Sequence, residues 1–478
     1  MSVVNEKVSV CSSLRKEQLR VMLLKLLVVL LCFGFAVHAN TDETAPRVKT
    51  PLGGLRGYYK ISQNGRKYEA YEGIPYALPP IGKLRFKPPR PTPAWIGELP
   101  ATKFSSMCIQ YDQISVIPPE KVVGAEDCLY LNIYVPAREK GRNITPLPIL
   151  FWIHGGAFQF GSGMLYDAKY LMDHNVIFVT FNYRVGPMGF LSTEDEVVPG
   201  NMGLKDQSMA LRWVSENIEW FGGDPEKVTL VGLSAGGASV HYHYLSQLSA
   251  NLFKGGISFS GTAFDCWTQT ENALEKAKKL GALMGCPTTS SRDMIRCLRY
   301  RPARAIVQAT SEFMPFLYNP FTPFGPVVEK IGDEAPFIDR TPVEIINSGD
   351  VQDVPWVTGV TSEEGLYPVA GVSHGDDVFY VLNTPWVNPT TTQKDRDMQK
   401  QLIDFWVLFA TEGIPKVANV EWPKLDSLKK ELHYLHIASP DQINMDSNAN
   451  LGEKEFWNSI NFNENILKHK TRINKEEL

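Results

Sequence analysis

The sequence predicts an α/β protein, one large domain built on a mainly parallel sheet with helices against it. Three short apolar runs carry that prediction: Pro148–Ile153, Val176–Phe181 and Val228–Val231. Each is bounded by turn residues, the pattern of a strand covered on both faces. Between the second and third lies a helical stretch, 204–218, with Leu204, Met209, Leu211 and Val214 at helical spacing. Alternating strands and helices build parallel sheets, which place their chemistry at the carboxyl ends of the strands. No repeat, low-complexity stretch or interdomain linker divides the chain.

The N-terminus stands apart. Val21-Met22-Leu23-Leu24-Lys25 leads into the apolar run 26–36, and Val37-His38-Ala39 precedes a polar stretch. A basic lead-in, a short apolar core and small residues describe a secretory signal peptide, and the run is too short to span a bilayer. Cleavage is expected after Ala39, so residues 1–39 are extension and signal, and 40–478 are the mature domain. Met22 offers a second start, with 1–21 upstream of it. At 44% hydrophobic, 21% charged and net charge −4, the 478 residues are ordinary globular material. Without a basic block, no nucleic-acid partner and no stable membrane insertion are expected.

Secretion makes disulfides permissible. With Cys11 and Cys32 in the N-terminal segment, five cysteines remain. The close pairs Cys108–Cys128 and Cys286–Cys297 would each staple a surface loop, which leaves Cys266 as a lone thiol expected to be buried. No Cys/His cluster has zinc spacing, and His241-Tyr242-His243 is too small a set for a metal, so neither metal nor cofactor is expected. Asn143-Ile144-Thr145 is the one glycosylation sequon, in a polar loop before a strand.

The strand ending at Ile153 runs into His154-Gly155-Gly156-Ala157-Phe158, a glycine-rich turn. After the helical stretch, Phe221-Gly222-Gly223-Asp224-Pro225 reads as a loop. The third strand then meets Gly232-Leu233-Ser234-Ala235-Gly236, and Gly237–Val240 reads as a helix start. Strand, sharp turn and helix are what a G-x-S-x-G nucleophile elbow requires, because the strained turn lifts the serine hydroxyl clear of the sheet. Acyl transfer also puts charge on the former carbonyl oxygen, and backbone N–H groups in a tight loop can meet it. The candidate donors are Gly156, Ala157 and Ala235. Taken singly, either motif is also compatible with an ordinary glycine turn.

From about Pro51 to about Phe456 the sequence resembles the type-B carboxylesterases of the α/β-hydrolase fold, which include cholinesterases. The likeness rests on Glu126-Asp127-Cys128-Leu129-Tyr130-Leu131-Asn132, Asn201-Met202-Gly203-Leu204-Lys205-Asp206-Gln207, the Phe221–Pro225 loop and the serine elbow. The resemblance implies a Ser-Glu-His triad. Thr361-Ser362-Glu363-Glu364-Gly365 matches the acid motif through Glu364, and Gly371-Val372-Ser373-His374-Gly375-Asp376-Asp377 matches the histidine motif through His374. Both cysteine pairs match family disulfide loops, and Ser260 matches a serine that supports the acid. Glu363 reads as a surface carboxylate, and His174, His433, His436 and His469 as structural or exposed.

Those roles would be Ser234 as nucleophile, His374 as its base and then acid, and Glu364 as the group that orients the ring. The partner is a small-molecule ester. No tryptophan lies between Cys108 and Cys128, where the cholinesterases hold their cation, so a quaternary ammonium substrate is not expected. Leu233 replaces the acidic residue those enzymes carry before the serine. The Gly-Leu-Ser-Ala-Gly-Gly form resembles insect carboxylesterases acting on lipophilic esters. Phe316, Phe321 and Phe324 supply apolar material for an acyl pocket or for core packing.

One departure stands out. Glu364 and His374 are ten positions apart, whereas the family separates acid and histidine by on the order of a hundred residues. The segment missing near 365–373 would carry helices and a sheet strand, so the fold is expected to lack them, as after an internal deletion. Ten residues reach roughly 35 Å, so the two side chains can still meet. Beyond His374 a helix is expected near Met398–Ala410 and a strand near Leu432–Ile437. The chain ends Lys475-Glu476-Glu477-Leu478, close to an endoplasmic-reticulum retrieval signal, so secretion and lumenal retention are both open. Two function classes follow: a serine carboxylesterase cleaving apolar esters, or an inert esterase-like form, either a binding protein or an isoform left non-functional by the internal deletion. No feature sets an oligomeric state.

Overall fold

The computed structural model describes residues 45–113, 121–137, 145–316, 319–330, 334–366, 373–385, 387, 390–426, 431–450 and 452–459. Signal peptide, Asn143, His469 and the C-terminal tetrapeptide lie outside them. The eight strands of the main sheet are β1 (Tyr58–Ile61), β2 (Lys67–Pro75), β3 (Tyr130–Pro136), β4 (Leu147–Ile153), β5 (Ile177–Phe181), β6 (Gly223–Leu233), β7 (Gly255–Phe259) and β8 (Trp356–Gly359). They lie in the order β1-β2-β3-β5-β4-β6-β7-β8. From β5 to β8 every pairing is parallel, while β1 to β3 join antiparallel at the other end.

Each of the three predicted strands forms, and each is buried along its length for the predicted reason. Along β4, Ile149, Phe151 and Ile153 enter one core cluster, with Ile177, Val179, Phe181, Val228 and Leu230 of the neighbouring strands. Leu150 and Trp152 point the other way, with Phe178, Val231 and Leu233. Side chains alternate along a strand, so a strand covered on both faces must be apolar at every position.

Helix α1 (Met202–Asn217) covers the first face with Leu204, Leu211 and Val214. Helix α2 (Ala235–Tyr244) adds Ala238 and Val240 to that cluster. Helix α3 (Gln393–Glu412) covers the opposite face with Leu402, Ile403, Phe405, Trp406 and Phe409. Trp406 stacks on Trp152 at 5.9 Å between ring centroids and on Phe259 at 5.3 Å.

Four expectations change. The Phe221–Pro225 loop is shorter than predicted: the chain turns at Gly222 (φ 77°) and joins β6 at Gly223. That residue pairs with Leu147 before the register shifts ahead of Val228. The predicted strand near Leu432 forms over Leu432–Ser439, but it pairs with Gln442–Asn448 in a separate two-stranded hairpin. Its residues are mostly exposed or half-buried, because the ribbon meets the core only through Ile443, with Leu435 and Ile437 partly buried beside it. Third, Cys266 is exposed. It lies in the irregular segment after β7, where no layer covers it. Finally, α2 begins at Ala235, directly after the serine and ahead of Gly237.

Both staples form, Cys108–Cys128 with 4.9 Å and Cys286–Cys297 with 5.7 Å between Cα atoms. Among the described residues, β8 has a neighbour on one side only, no three His, Cys, Asp or Glu groups converge as a metal site, and no helix is long and apolar enough to cross a membrane.

Candidate active site

Ser234 sits between β6 and α2 at φ 59° and ψ −122°. A positive φ is strained for a residue with a Cβ, and such strain persists only where the surroundings enforce it. Here they do. Ser234 donates its N–H to the Phe259 carbonyl at 2.8 Å, and its own carbonyl accepts from Ala238 N at 2.8 Å. The flanking glycines are required by space: a Cβ on Gly236 would stand 2.0 Å from the Ile153 oxygen, and one on Gly232 2.3 Å from the Gly236 carbonyl carbon. Ser234 itself is 9% exposed, at the edge of the core.

The glycine turn after β4 packs on this elbow. A Cβ on Gly155 would lie 3.2 Å from the Ser234 Cβ. Gly156, Ala157 and Phe158 follow at φ 114°, 53° and 59°, three successive residues in a region that only glycine occupies easily. The turn is closed by Gln159 N and Phe160 N, which both donate to the Gly156 carbonyl at 2.8 and 3.0 Å. The Gln159 side-chain amide donates to the Ala157 carbonyl at 3.2 Å and also to that of Phe324. Ala235 opens α2, so its N–H has no intrahelical acceptor and lies at the positive end of the helix. Ala235 thus follows the serine directly, and Gly156 and Ala157 follow the Gly155 that packs on it.

His154 anchors the same turn. Its ring stacks on Tyr183 at 4.2 Å, and its Nδ1 lies 2.9 Å from the Gly155 carbonyl. A carbonyl only accepts, so Nδ1 carries the proton. Burial brings the ring's pKa down to about 4, and it is neutral at physiological pH.

Glu364 and His374 meet despite the short connection, with His374 Nδ1 2.6 Å from Glu364 Oε2. The other carboxylate oxygen accepts from Ser260 Oγ at 2.5 Å, Thr361 N at 2.7 Å and Thr361 Oγ1 at 3.0 Å. Burial by itself would raise this carboxyl's pKa. The bonds from His374, Ser260 and Thr361 outweigh it and bring the pKa to about 2. An ionised carboxylate facing Nδ1 fixes the proton there and leaves the Nε2 lone pair for chemistry.

The histidine turn is set by Ser373 N donating to Asp376 Oδ2 at 2.7 Å. A Cβ on Gly375 would reach Leu233 Cδ2 at 3.0 Å. The residue after the histidine therefore abuts the residue before the serine. On the far side, Ser260 N donates to Gly359 O at 2.8 Å, and a Cβ on Gly261 would stand 2.0 Å from the Ser234 oxygen. The elbow, the acid loop and the histidine loop are thus packed on one another.

Asp377 was not anticipated. Withdrawal from water raises its pKa to about 6, the Val378 N–H opposes that, and the Glu364 charge adds to it. Glu363 is exposed, as expected. His433 and His436 are exposed, and His174 is half-buried. His243 is fully used within the core, between Ser249 Oγ at 2.6 Å and Gln207 Oε1 at 3.1 Å. The three phenylalanines do not share one wall. Phe324 is core, packed on Phe313 at 4.9 Å, with its carbonyl accepting from the Gln159 amide; Phe316 is 70% exposed; the Phe321 ring stands edge-on to Phe160 at 6.2 Å.

A parallel sheet with a strained serine at the end of a central strand defines an α/β-hydrolase. A family model described as "Carboxylesterase family" matches residues 44–370 and 367–457. The chain is 45% identical over 558 residues to venom carboxylesterase-6 of Apis mellifera, covering 93% of this chain and 100% of that protein. It is 44% identical over 554 residues to a carboxylic ester hydrolase of Bombus ignitus, covering 92% and 98%. Among solved structures, juvenile hormone esterase from Manduca sexta, with OTFP covalently attached, superposes with a TM-score of 0.74 at 26% identity, covering 84% of this chain and 96% of that one. The chain belongs to the carboxylesterase family, and its class is that of the carboxylic ester hydrolases.

Proposed function

We propose that this chain hydrolyses apolar carboxylic esters through an acyl-enzyme on Ser234. His374 Nε2 takes the Ser234 proton as Oγ attacks the ester carbonyl. The N–H groups of Gly156, Ala157 and Ala235 hold the oxyanion. As the tetrahedral adduct collapses, the carbon–alkoxy bond breaks and His374 returns the proton to the leaving alcohol. A water then repeats the sequence and releases the acid. Glu364 stays ionised throughout and stabilises the imidazolium. The observation that carries the reading is the 2.6 Å His374–Glu364 contact, held on loops that pack against the Ser234 elbow.

An apolar acyl group suits the Phe160–Phe321 pair beside the glycine turn. Two disulfides support an oxidising compartment, by secretion or by retention in the endoplasmic reticulum. Treatment with an aryl phosphate triester followed by peptide mass spectrometry tests the nucleophile. The expected product is a phosphorylated Ser234 peptide; labelling elsewhere, or none on folded protein, overturns the assignment.

The second reading, an inert relative, is favoured by the sheet edge. Among the described residues β8 has one neighbour, and the 558-residue alignment to the Apis mellifera protein exceeds the 478 residues of this chain. Both support an internal deletion between Glu364 and His374. Loss of a strand exposes apolar faces and backbone groups, so this form is expected to be less stable than its longer relatives.

A further inference from the structure

Gln110 lies two residues beyond Cys108 and is 5% exposed. Its side-chain amide addresses both backbone groups of one residue: Gly161 N donates to Gln110 Oε1 at 2.8 Å, and Gln110 Nε2 donates to the Gly161 carbonyl at 3.0 Å. The same Nε2 donates to the Cys108 carbonyl at 2.7 Å. Asn182 repeats the device one step further on. Its Oδ1 accepts from Gly163 N at 3.0 Å and Ser162 Oγ at 2.8 Å, while its Nδ2 donates to the Cys128 carbonyl at 3.3 Å and the Ser106 carbonyl at 3.1 Å. Residues 161–163 are thus tied, through two buried amides, to the carbonyls of both halves of the Cys108–Cys128 disulfide.

Those residues are the return leg of the glycine turn. Gly161, at φ 117°, stands so close to the outgoing leg that a Cβ on it would lie 2.4 Å from both the Gly155 oxygen and His154 Nδ1. Fixing Gly161 therefore fixes the leg that carries the Gly156 and Ala157 N–H groups. Oxyanion donors act only when held in place before the charge develops, and displacement by about 1 Å can cost on the order of 100-fold in rate.

We infer that Gln110 is a positioning residue for the oxyanion donors, coupling the Cys108–Cys128 staple to the turn that carries Gly156 and Ala157. It touches no substrate and acts through Gly161. This rests on the acyl-enzyme reading above. A positioning role lowers kcat and leaves KM largely alone, because the donors matter more to the charged transition state than to the neutral ester.

The test compares the full chain with Gln110→Ala on p-nitrophenyl butyrate, alongside hydrogen exchange of the two proteins. Expected is a kcat lower by about 10- to 100-fold with KM within about twofold, and faster exchange in peptides spanning 154–163 but not in β5. Gln110→Glu keeps an acceptor for Gly161 N and loses both donated bonds; it stands in if the alanine variant does not fold, with the same direction expected. Unchanged kcat in an active enzyme overturns the proposal, as does a KM rise with kcat unchanged. If the unmodified chain has no Ser234-dependent turnover, the acyl-enzyme reading fails on its own. Exchange then decides for Gln110: equal exchange at 154–163 in both proteins overturns the cradle.

Discussion

Glu364 shows how much of the site rests on single hydrogen bonds. Its carboxyl would be raised by burial, yet its bonds to His374, Ser260 and Thr361 hold its pKa at about 2. The sign is that of a depressed acid: the stability it contributes is present above its ordinary pKa of 4.5 and is lost as pH falls through about 2. Glu364 therefore stays ionised through the acid limb of any rate profile, and that limb is expected to belong to another group. Glu364→Gln is expected to lower kcat by about 10⁴-fold, the order seen when a triad acid is replaced by its amide; steady-state kinetics check it. Asp377 has the opposite sign. Its pKa is raised to about 6 from 3.8, so its contribution is present below pH 3.8 and lost as pH rises through 6. Asp377→Asn is expected to raise Tm relative to the parent above pH 6 and to close that gap near pH 4, read by calorimetry at both pH values. Ser234 could be read in the sequence because strand, glycines and small residues surround it. Glu364 and His374 could be reached only by resemblance to a family, since nothing local distinguishes Glu364 from Glu363. Gln159 and Gln110 could not be read at all, because their partners are backbone groups brought near by the fold.

At the scale of elements, the parallel strands were legible because each is sealed on both faces, which forces an unbroken apolar run. Helix α1 was legible from its 3.6-residue period, the start of α2 from the small residues after the serine, and α3 only through the family resemblance. Pairing partners were less so: Leu432–Ser439 has the residues of a strand but closes on its own hairpin. Whether a lone cysteine is buried depends on the layer above it, and a local pattern does not report that. One of the tight junctions is β4 against the elbow. With 2.0 Å between a Gly236 Cβ and the Ile153 oxygen, Gly236→Ala forces the backbones apart. It is expected to cost about 1–3 kcal/mol and to abolish activity, read by denaturant unfolding and ester turnover. Phe151→Ala, in the middle of β4 and fully buried, is expected to cost about 3–5 kcal/mol by the same unfolding measurement.

The whole molecule combines the Ser234, Glu364 and His374 loops, packed on one another, with a sheet that among the described residues ends at β8. From Val354 to Thr361 there is no charged residue, Thr358 is exposed, and Val360 is 71% exposed. Natural edge strands are blunted by charge or cover, so concentration-dependent association through β8 is expected; light scattering with Thr358→Lys, which should suppress it, is the check. The ten-residue connection brings Glu364 to His374, because a few extended residues reach far beyond what the loop must span. The Glu364–His374 contact thus forms although β8, among the described residues, is paired on one side only, and that contact is expected to suffice for turnover. The most direct test is p-nitrophenyl butyrate hydrolysis by the folded chain beside Ser234→Ala. Turnover that disappears with the serine hydroxyl is expected. A folded chain whose rate matches that of Ser234→Ala would contradict it and leave an esterase fold without esterase chemistry.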